Sequence, residues 1–251
     1  MNIIDAVILG ILQGITEFLP VSSSGHLILA ERIMGIDSSN LTFSLTVHIA
    51  TLCALIIAMR HKLYEQIKKP FDKTNIMIVL STVATVSIVL LIKNFALSSF
   101  DGSLLPYTFL ITAILLISAG LVKKQKELSY ATSIIIGFVQ GLAVLPGLSR
   151  SGSTISTARL CGVNPKQSTD FSFFISIPII IGSTIIDCVS GGFSQVDFLP
   201  LAVGFVTAFI SGLVSIKFML KFMTKNFDVF SIYLLVLSVF LFANNYFLHI
   251  I

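Results

Sequence analysis

Charge is what this sequence has least of. Only 11% of its 251 residues are Asp, Glu, Lys or Arg, where soluble domains carry about 25%. Hydrophobic residues make up 55% of the chain, and mean hydropathy is +0.98. Such a composition cannot cover a water-facing surface, so it describes an all-α polytopic membrane protein. A formal charge of +4 could suggest nucleic acid. The charges instead sit in short clusters between apolar runs, which argues against that partner. Cysteine is also sparse: Cys53, Cys161 and Cys188 lie in apolar stretches at no ligand spacing. They read as small hydrophobes, not as a disulfide or metal set. The N-terminus lacks a basic n-region and carries Asp5 in its place. Neither a cleavable signal peptide nor an appended soluble domain is expected.

What the chain does have is apolar segments of membrane length. About 20 residues of helix cross a bilayer, and six segments qualify: 41–59, 75–93, 104–122, 168–188, 198–220 and 229–248. Two further regions, 3–34 and 130–163, are interrupted by Gly, Pro and Ser. Each is expected to be a re-entrant hairpin of two half-helices that enters and leaves on one side. On that assumption thirteen basic residues, from Arg60 to Lys225, share one side against Arg32 and Lys93 on the other. The asymmetry makes the first side cytoplasmic and turns both termini outward. It would collapse if either broken region crossed completely.

The broken regions repeat each other. GILQGITEFLPVSSSGHLI begins at Gly10, and GFVQGLAVLPGLSRSGSTI begins at Gly137. Gly10/Gly137, Gln13/Gln140, Gly14/Gly141, Gly25/Gly152 and Ile28/Ile155 share an offset of 127, while Leu19/Leu145 and Pro20/Pro146 are offset by 126. Each copy is a hairpin followed by three spans. Three is odd, so the second copy is inverted relative to the first. The expectation is a single membrane domain over 1–251, with inverted repeats at about 1–122 and 130–250 whose hairpin tips meet near the midplane.

The copies differ in a complementary way. The first supplies Glu17, Ser22, Ser23, Ser24 and His26; the second supplies Arg150 between Ser149 and Ser151, and Ser153 where the first has His26. Ionisable groups at membrane depth are costly and usually mark function. A helix N-terminus after each proline offers amides to an anion, and arginine binds phosphate with two parallel hydrogen bonds. Together these point to a phosphate or diphosphate. Blander roles stand beside that reading. Ser24, Ser153, Thr154 and Ser156 are expected to bond the carbonyl one turn back or a neighbouring helix. Gln13 and Gln140 are expected to bond backbone freed by the breaks. His48 reads as a packing residue, His61 and His249 as interfacial, and Asp170 and Asp187 as reaching water. Glu17 and Arg150 could also form a purely structural ion pair.

The segment from Gln13 to His26, paired with Pro146-Gly147-Leu148-Ser149-Arg150-Ser151-Gly152, resembles the bacterial undecaprenyl-diphosphate phosphatase family linked to bacitracin resistance. The similarity covers essentially the whole chain. It implies hydrolysis of undecaprenyl diphosphate to undecaprenyl phosphate and phosphate, which recycles the lipid carrier for peptidoglycan synthesis. It further implies a bacterial cytoplasmic (inner) membrane, an outward-facing site, and Mg²⁺ or Ca²⁺. The family's first signature is Glu or Gln, three residues, then Glu. Here it is Gln13 and Glu17, the candidate metal ligands. A neutral amide is a poor ligand for a hard cation, so the substrate's diphosphate would hold most of the metal.

On this reading Glu17, Ser22, Ser23, His26 and Arg150 are the catalytic candidates. Ser149, Arg150, Ser151, Gly152, Ser24 and Gly25 would bind phosphate. Ser23, less so Ser22, or else His26 attacks phosphorus, and Glu17 orients or deprotonates the nucleophile. The lipid tail would lie along Phe-rich faces such as Phe171, Phe173, Phe174, Phe205 and Phe209, which equally suit ordinary packing. The partners are the polyprenyl diphosphate and membrane lipids, with a homodimer compatible and no nucleic acid. The competing class is an inverted-repeat transporter or flippase for phosphate or polyprenyl phosphate. A carrier needs Arg150 and the helix ends but not the acid, hydroxyl and imidazole beside them.

Overall fold

A computed structural model describes residues 1–36, 41–189, 197–222 and 227–245. Among them the chain is helical apart from its connections, with one isolated bridge between Lys126 and Val163. The helices are α1 (Ile3–Phe18), α2 (Ser23–Met34), α3 (Leu41–Ala58), α4 (Arg60–Lys68), α5 (Lys73–Ser98), α6 (Leu105–Gly120), α7 (Tyr130–Leu142), α8 (Arg150–Leu160), α9 (Pro165–Val189), α10 (Phe198–Phe222) and α11 (Asp228–Ala243). A 3₁₀ turn, Ser99–Asp101, separates α5 from α6.

The helix ends follow local chemistry. Asn2 and Asp5 form a capping box at α1, with bonds of 2.8 and 3.0 Å. Asp72 caps α5 by accepting from the Thr74 amide at 3.3 Å, a bond that holds its carboxyl below the usual carboxylate range. Gly35 and Gly162 stop α2 and α8 in left-handed conformations, with φ of 64° and 89°. Both regions expected to break do so. The first is two helices joined at Leu19–Ser22, and the second is two helices joined across 143–149.

Among the described residues four helices are long and apolar enough to cross a membrane: α3, α5, α9 and α10. With this composition they define a membrane protein. α6 and α11, 16 residues each, are shorter apolar helices, and the end of the expected last span, 246–248, lies outside the described residues. The short helix α4 had no counterpart among the expected segments.

Packing crosses between the two repeat regions. α1 lies along α10, and α7 lies along α5. Small residues permit both approaches. A Cβ on Gly14 would stand 2.7 Å from the Gly212 amide nitrogen, and one on Gly141 would stand 2.6 Å from Ile88 Cβ. Hydroxyls staple each pair: Ser215 on α10 donates to the Ile15 carbonyl at 2.8 Å, and Thr85 on α5 to the Gly137 carbonyl at 2.9 Å. α6 packs on α11. The largest core cluster joins Phe18, Phe109, Ile155, Phe173, Ile216 and Leu234, with Phe18 and Phe173 edge to face at 5.8 Å.

One end of the bundle gathers the basic connections. Lys62, in α4, pairs with Asp170 in α9 at 2.6 Å. Lys126 donates its amide to the Gly162 carbonyl at 2.7 Å. The Arg159 guanidinium stands 5.3 Å over the Phe227 ring. Asp170, expected to reach water, is thus an ion-pair partner between helices.

Candidate functional site

The two interhelical turns touch at their tips. In the first, Leu19-Pro20-Val21-Ser22 ends α1 and opens α2. Ser22 is at φ 72°, the one non-glycine at positive φ among the described residues. That conformation costs energy, and the opposing turn offsets it. The Gly147 amide donates to Ser22 Oγ at 3.1 Å, and the Ser22 carbonyl accepts from His26 Nδ1 at 2.7 Å. In the second turn Gly147 takes φ 86°. Thr108 and Thr112, one turn apart on α6, hold it there. Thr108 donates to the Pro146 carbonyl at 2.7 Å, and the Ser149 amide donates to Thr112 Oγ1 at 3.1 Å. Ser151 completes the contact by donating to the Leu19 carbonyl at 2.9 Å.

Glu17 is the hub of the site. It is buried at the end of α1, and donors from both turns reach it. Arg150 Nη2 lies 2.6 Å from Oε1, Ser23 Oγ donates to Oε2 at 2.7 Å, and Gln13 Nε2 donates to Oε2 at 3.1 Å. The ion pair is poorly exposed, at 16% for the Arg150 side chain and 7% for Glu17. Among the described residues Arg150 Nη1 is buried with no partner, and so is Gln13 Oε1. A buried guanidinium arm without an acceptor is expensive, and an anion in the site would relieve it. By helix geometry the first-turn amides of Ser23 and Ser24 in α2, and of Arg150 and Ser151 in α8, lack intrahelical acceptors.

His26 is held apart from this hub. Its Nδ1 meets a carbonyl, which only accepts, so Nδ1 carries the proton. Its Nε2 lies 2.7 Å from the Tyr233 hydroxyl on α11. The ring stacks on Tyr233 at 5.7 Å and meets Phe109 edge-on at 5.4 Å. Both ring nitrogens are thereby engaged by groups other than Ser23 and Glu17.

Several expectations change. Gln13 and Gln140 do not bond freed backbone; they donate to Glu17 and, at 3.0 Å, to Thr85 Oγ1. Gly25 and Gly152, expected at the phosphate, permit close approach of the two turns. A Cβ on Gly25 would stand 2.9 Å from Gly147 Cα, and one on Gly152 3.2 Å from the Pro20 carbonyl oxygen. Their amides are spent on the caps Ser22 and Ser149, at 3.4 and 3.1 Å. Thr154 bonds the Arg150 carbonyl one turn back, as expected. Ser24 instead lies 3.3 Å from Ser22 Oγ, while the Oγ atoms of Ser153 and Ser156 have no hydrogen-bond partner among the described residues. Ser149 Oγ caps α8 and sits 3.3 Å from Ser151 Oγ. Phe171, Phe173 and Phe174 are core residues, because α9 turns that face inward. Phe205 and Phe209 remain partly exposed and stack at 6.4 Å. His48 donates from Nδ1 to the Ser44 carbonyl, Asp187 is half-buried, His61 is exposed, and His249 and Lys225 lie outside the described residues.

Reading the sequence alone missed Tyr233, Thr108 and Thr112. The threonines carried a signal: two hydroxyls four apart in an apolar segment imply a polar partner. Tyr233 carried none, since a tyrosine near a span end is ordinary. The metal question can also be narrowed. Among the described residues no three His, Cys, Asp or Glu side chains gather as ligands. Glu17 already serves three donors, which leaves Gln13 Oε1 as a spare hard oxygen. This set is no cage by itself. It suits a cation that arrives with its own phosphate ligands.

A helical membrane protein that opposes an acid-bound serine and an arginine at the meeting of two helix N-termini is built to handle a phosphate group. The chain matches the family model "Bacitracin resistance protein BacA" over residues 6–240 and belongs to that family. It is 41% identical over 253 residues to the undecaprenyl-diphosphatase of Carboxydothermus hydrogenoformans, covering 95% of this chain and 96% of the relative. It is 38% identical over 254 residues to that of Christiangramia forsetii, with 95% and 96% covered. To that of Treponema denticola it is 35% identical over 245 residues, with 90% of each covered.

Proposed function

We propose that this membrane protein is an undecaprenyl-diphosphatase in which Ser23 attacks the terminal phosphorus and Glu17 is its base. The observation that carries the assignment is the 2.7 Å bond from Ser23 Oγ to Glu17 Oε2. A nucleophile within hydrogen-bond reach of a carboxylate, with that carboxylate oriented by Arg150, is the arrangement that activated hydroxyls require. Ser22 is less suited, because its Oγ already accepts from Gly147. The transporter reading explains neither the acid–serine bond nor the enzyme names of the relatives.

The reaction balances as follows. Ser23 Oγ bonds to the terminal phosphorus and passes its proton to Glu17. The bond from that phosphorus to the bridging oxygen breaks, and undecaprenyl phosphate leaves. Water then attacks the phosphoserine phosphorus and the P–Oγ bond breaks; the proton held by Glu17 returns to Ser23 Oγ, and the water's oxygen and protons leave with inorganic phosphate. Arg150 holds non-bridging oxygens through its unpartnered Nη1 while Nη2 stays on Glu17, and the amides of Ser23, Ser24, Arg150 and Ser151 supply further donors. His26, whose ring nitrogens are bound to the Ser22 carbonyl and the Tyr233 hydroxyl, is assigned proton exchange with the leaving oxygen or the water by way of the Tyr233 hydroxyl. A divalent cation, Mg²⁺ or Ca²⁺, would be held by the diphosphate and Gln13 Oε1, the oxygen that Glu17's three donors leave free, and would neutralise phosphate charge there.

The finer membrane arrangement belongs to the same proposal. Six spans (α3, α5, α6, α9, α10 and α11) flank two re-entrant hairpins, α1–α2 and α7–α8, in inverted repeats. Supporting this, α1 packs on α10 as α7 packs on α5, with glycines at matching positions. The basic connections gather at one end, which is taken as cytoplasmic by the excess of Lys and Arg. Both termini and the site then face outward in a bacterial cytoplasmic membrane. The diphosphate comes from the spent lipid carrier of peptidoglycan synthesis.

Purified protein in detergent should release phosphate from undecaprenyl diphosphate, lose that activity with EDTA and regain it with Mg²⁺ or Ca²⁺. Ser23→Ala and Glu17→Gln should lower turnover by about 10²-fold or more. Substrate labelled at the terminal phosphate should leave a protein label that is stable in acid and lost in base. An acid-labile, base-stable label would overturn Ser23 in favour of His26. No release by folded protein with either metal would overturn the enzyme reading.

A further inference from the structure

The helix α4 and the turn after it have no role in the site and, among the described residues, no cover in the fold. Nine residues rise about 14 Å as helix, less than half of a bilayer's apolar thickness, so α4 does not cross. Its inner side is fixed. Lys62 pairs with Asp170 at 2.6 Å, Leu63 packs on the core, and Asn75 donates to the Gln66 and Lys69 carbonyls at 2.8 and 2.7 Å. The opposite side is bare. Tyr64 and Ile67, at i and i+3 on α4, and Phe71 in the turn after it are 60%, 76% and 90% exposed. Arg60, Lys68, Lys69 and Lys73 border them, all exposed, and the Lys68 ammonium stands 4.3 Å over the Tyr64 ring. Two acids, Glu65 and Asp72, lie in the segment, and Asp72 is occupied in capping α5.

We propose that α4 with its following turn is an interfacial docking element for anionic phospholipid headgroups of the membrane in which the protein sits. Tyr64, Ile67 and Phe71 enter the acyl boundary, and Arg60, Lys68, Lys69 and Lys73 meet lipid phosphates. A basic rim around an apolar stripe is the pattern that lies in a membrane surface. Each basic residue near an anionic surface adds roughly fivefold to binding. The rigid tie of Lys62 to Asp170 lets this element set the height of α9, and so of the bundle, relative to the headgroups. The proposal rests on the membrane reading and not on the phosphatase reading.

The chain contains no tryptophan, so Phe71→Trp and, separately, Tyr64→Trp each introduce a single fluorophore. The full chain carrying either change is reconstituted into vesicles of phosphatidylcholine mixed with phosphatidylglycerol, and thermal unfolding confirms that it is folded. Bromine is placed on the acyl chains of one lipid at a time. The expected result is strong quenching, with brominated phosphatidylglycerol quenching several-fold beyond its share of the lipid. High salt, or Lys68→Gln with Lys69→Gln and Lys73→Gln, should remove that excess. Equal quenching by the two lipids would overturn the anionic preference. Quenching by aqueous iodide with none by brominated lipid would overturn membrane docking and leave the stripe to a protein partner.

Discussion

The Arg150–Glu17 pair can be separated into a structural and a chemical contribution by one double-mutant cycle. Arg150→Met keeps much of the side-chain stem and removes the charge, which leaves the Glu17 carboxylate buried with only Ser23 and Gln13 as donors. Breaking a buried pair by deleting one partner costs about 3–5 kcal/mol. The two remaining bonds place this case at the lower end, about 3 kcal/mol. For a chain of this size that is roughly 6–12 °C in thermal midpoint. Glu17→Gln leaves the opposite charge stranded, and Arg150 already has one nitrogen unpartnered, so a similar loss is expected. The double variant strands no charge and should lose only about 1–2 kcal/mol, because replacing both members of a buried pair is often close to neutral. The coupling is then about 4 kcal/mol or more, above the roughly 0.5–3 kcal/mol usual for residues in direct contact. The assay is thermal unfolding in detergent alongside phosphate release. The double variant should recover stability while staying inactive, if both groups serve the chemistry as proposed. Additive stability losses, within about 0.5 kcal/mol, would refute the ion pair as drawn. Recovery of activity along with stability would refute its catalytic assignment.

Two further predictions follow from individual contacts. Gly14→Ala should destabilise the protein by about 1–3 kcal/mol, because its methyl meets the Gly212 backbone. Gly182→Ala, with open space around it, should be neutral or stabilise α9 by about 0.5–1 kcal/mol; equal losses in thermal unfolding would contradict the close packing of α1 on α10. Tyr233→Phe keeps the stack on His26 but removes the hydroxyl 2.7 Å from Nε2. It should lower kcat about tenfold, the worth of one good hydrogen bond, with KM little changed and the pH profile shifted. An unchanged kcat and profile would show that the hydroxyl has no part in positioning His26.

Much of the fold was legible because its signals are local. Hydropathy depends on composition within a window, and Pro, Gly and Ser break helices by their own stereochemistry, so both hairpins and their limits were readable. The site was partly legible for a related reason. Glu17, Ser23 and Arg150 are conspicuous in apolar surroundings, next to the Pro and Ser that mark the two helix breaks. α4 was missed because a nine-residue basic segment does not register in a window sized for spans. Tyr233 was missed because its meaning depends on His26, 207 positions away.

The sequence by itself determined the membrane class, the paired broken helices and the residue types at their tips, since each follows from local hydrophobicity, stereochemistry and cost of burial. Only the tertiary structure decided which group serves which. It set Ser23, not Ser22, on the carboxylate, because the Gly147 amide of the opposite turn reaches Ser22 and holds it in a left-handed conformation. It turned His26 away to Tyr233 and committed Gly25 and Gly152 to backbone approach. These choices are made where two distant stretches of chain meet, and hydrogen-bond directions there depend on the relative placement of helices that neither stretch specifies alone.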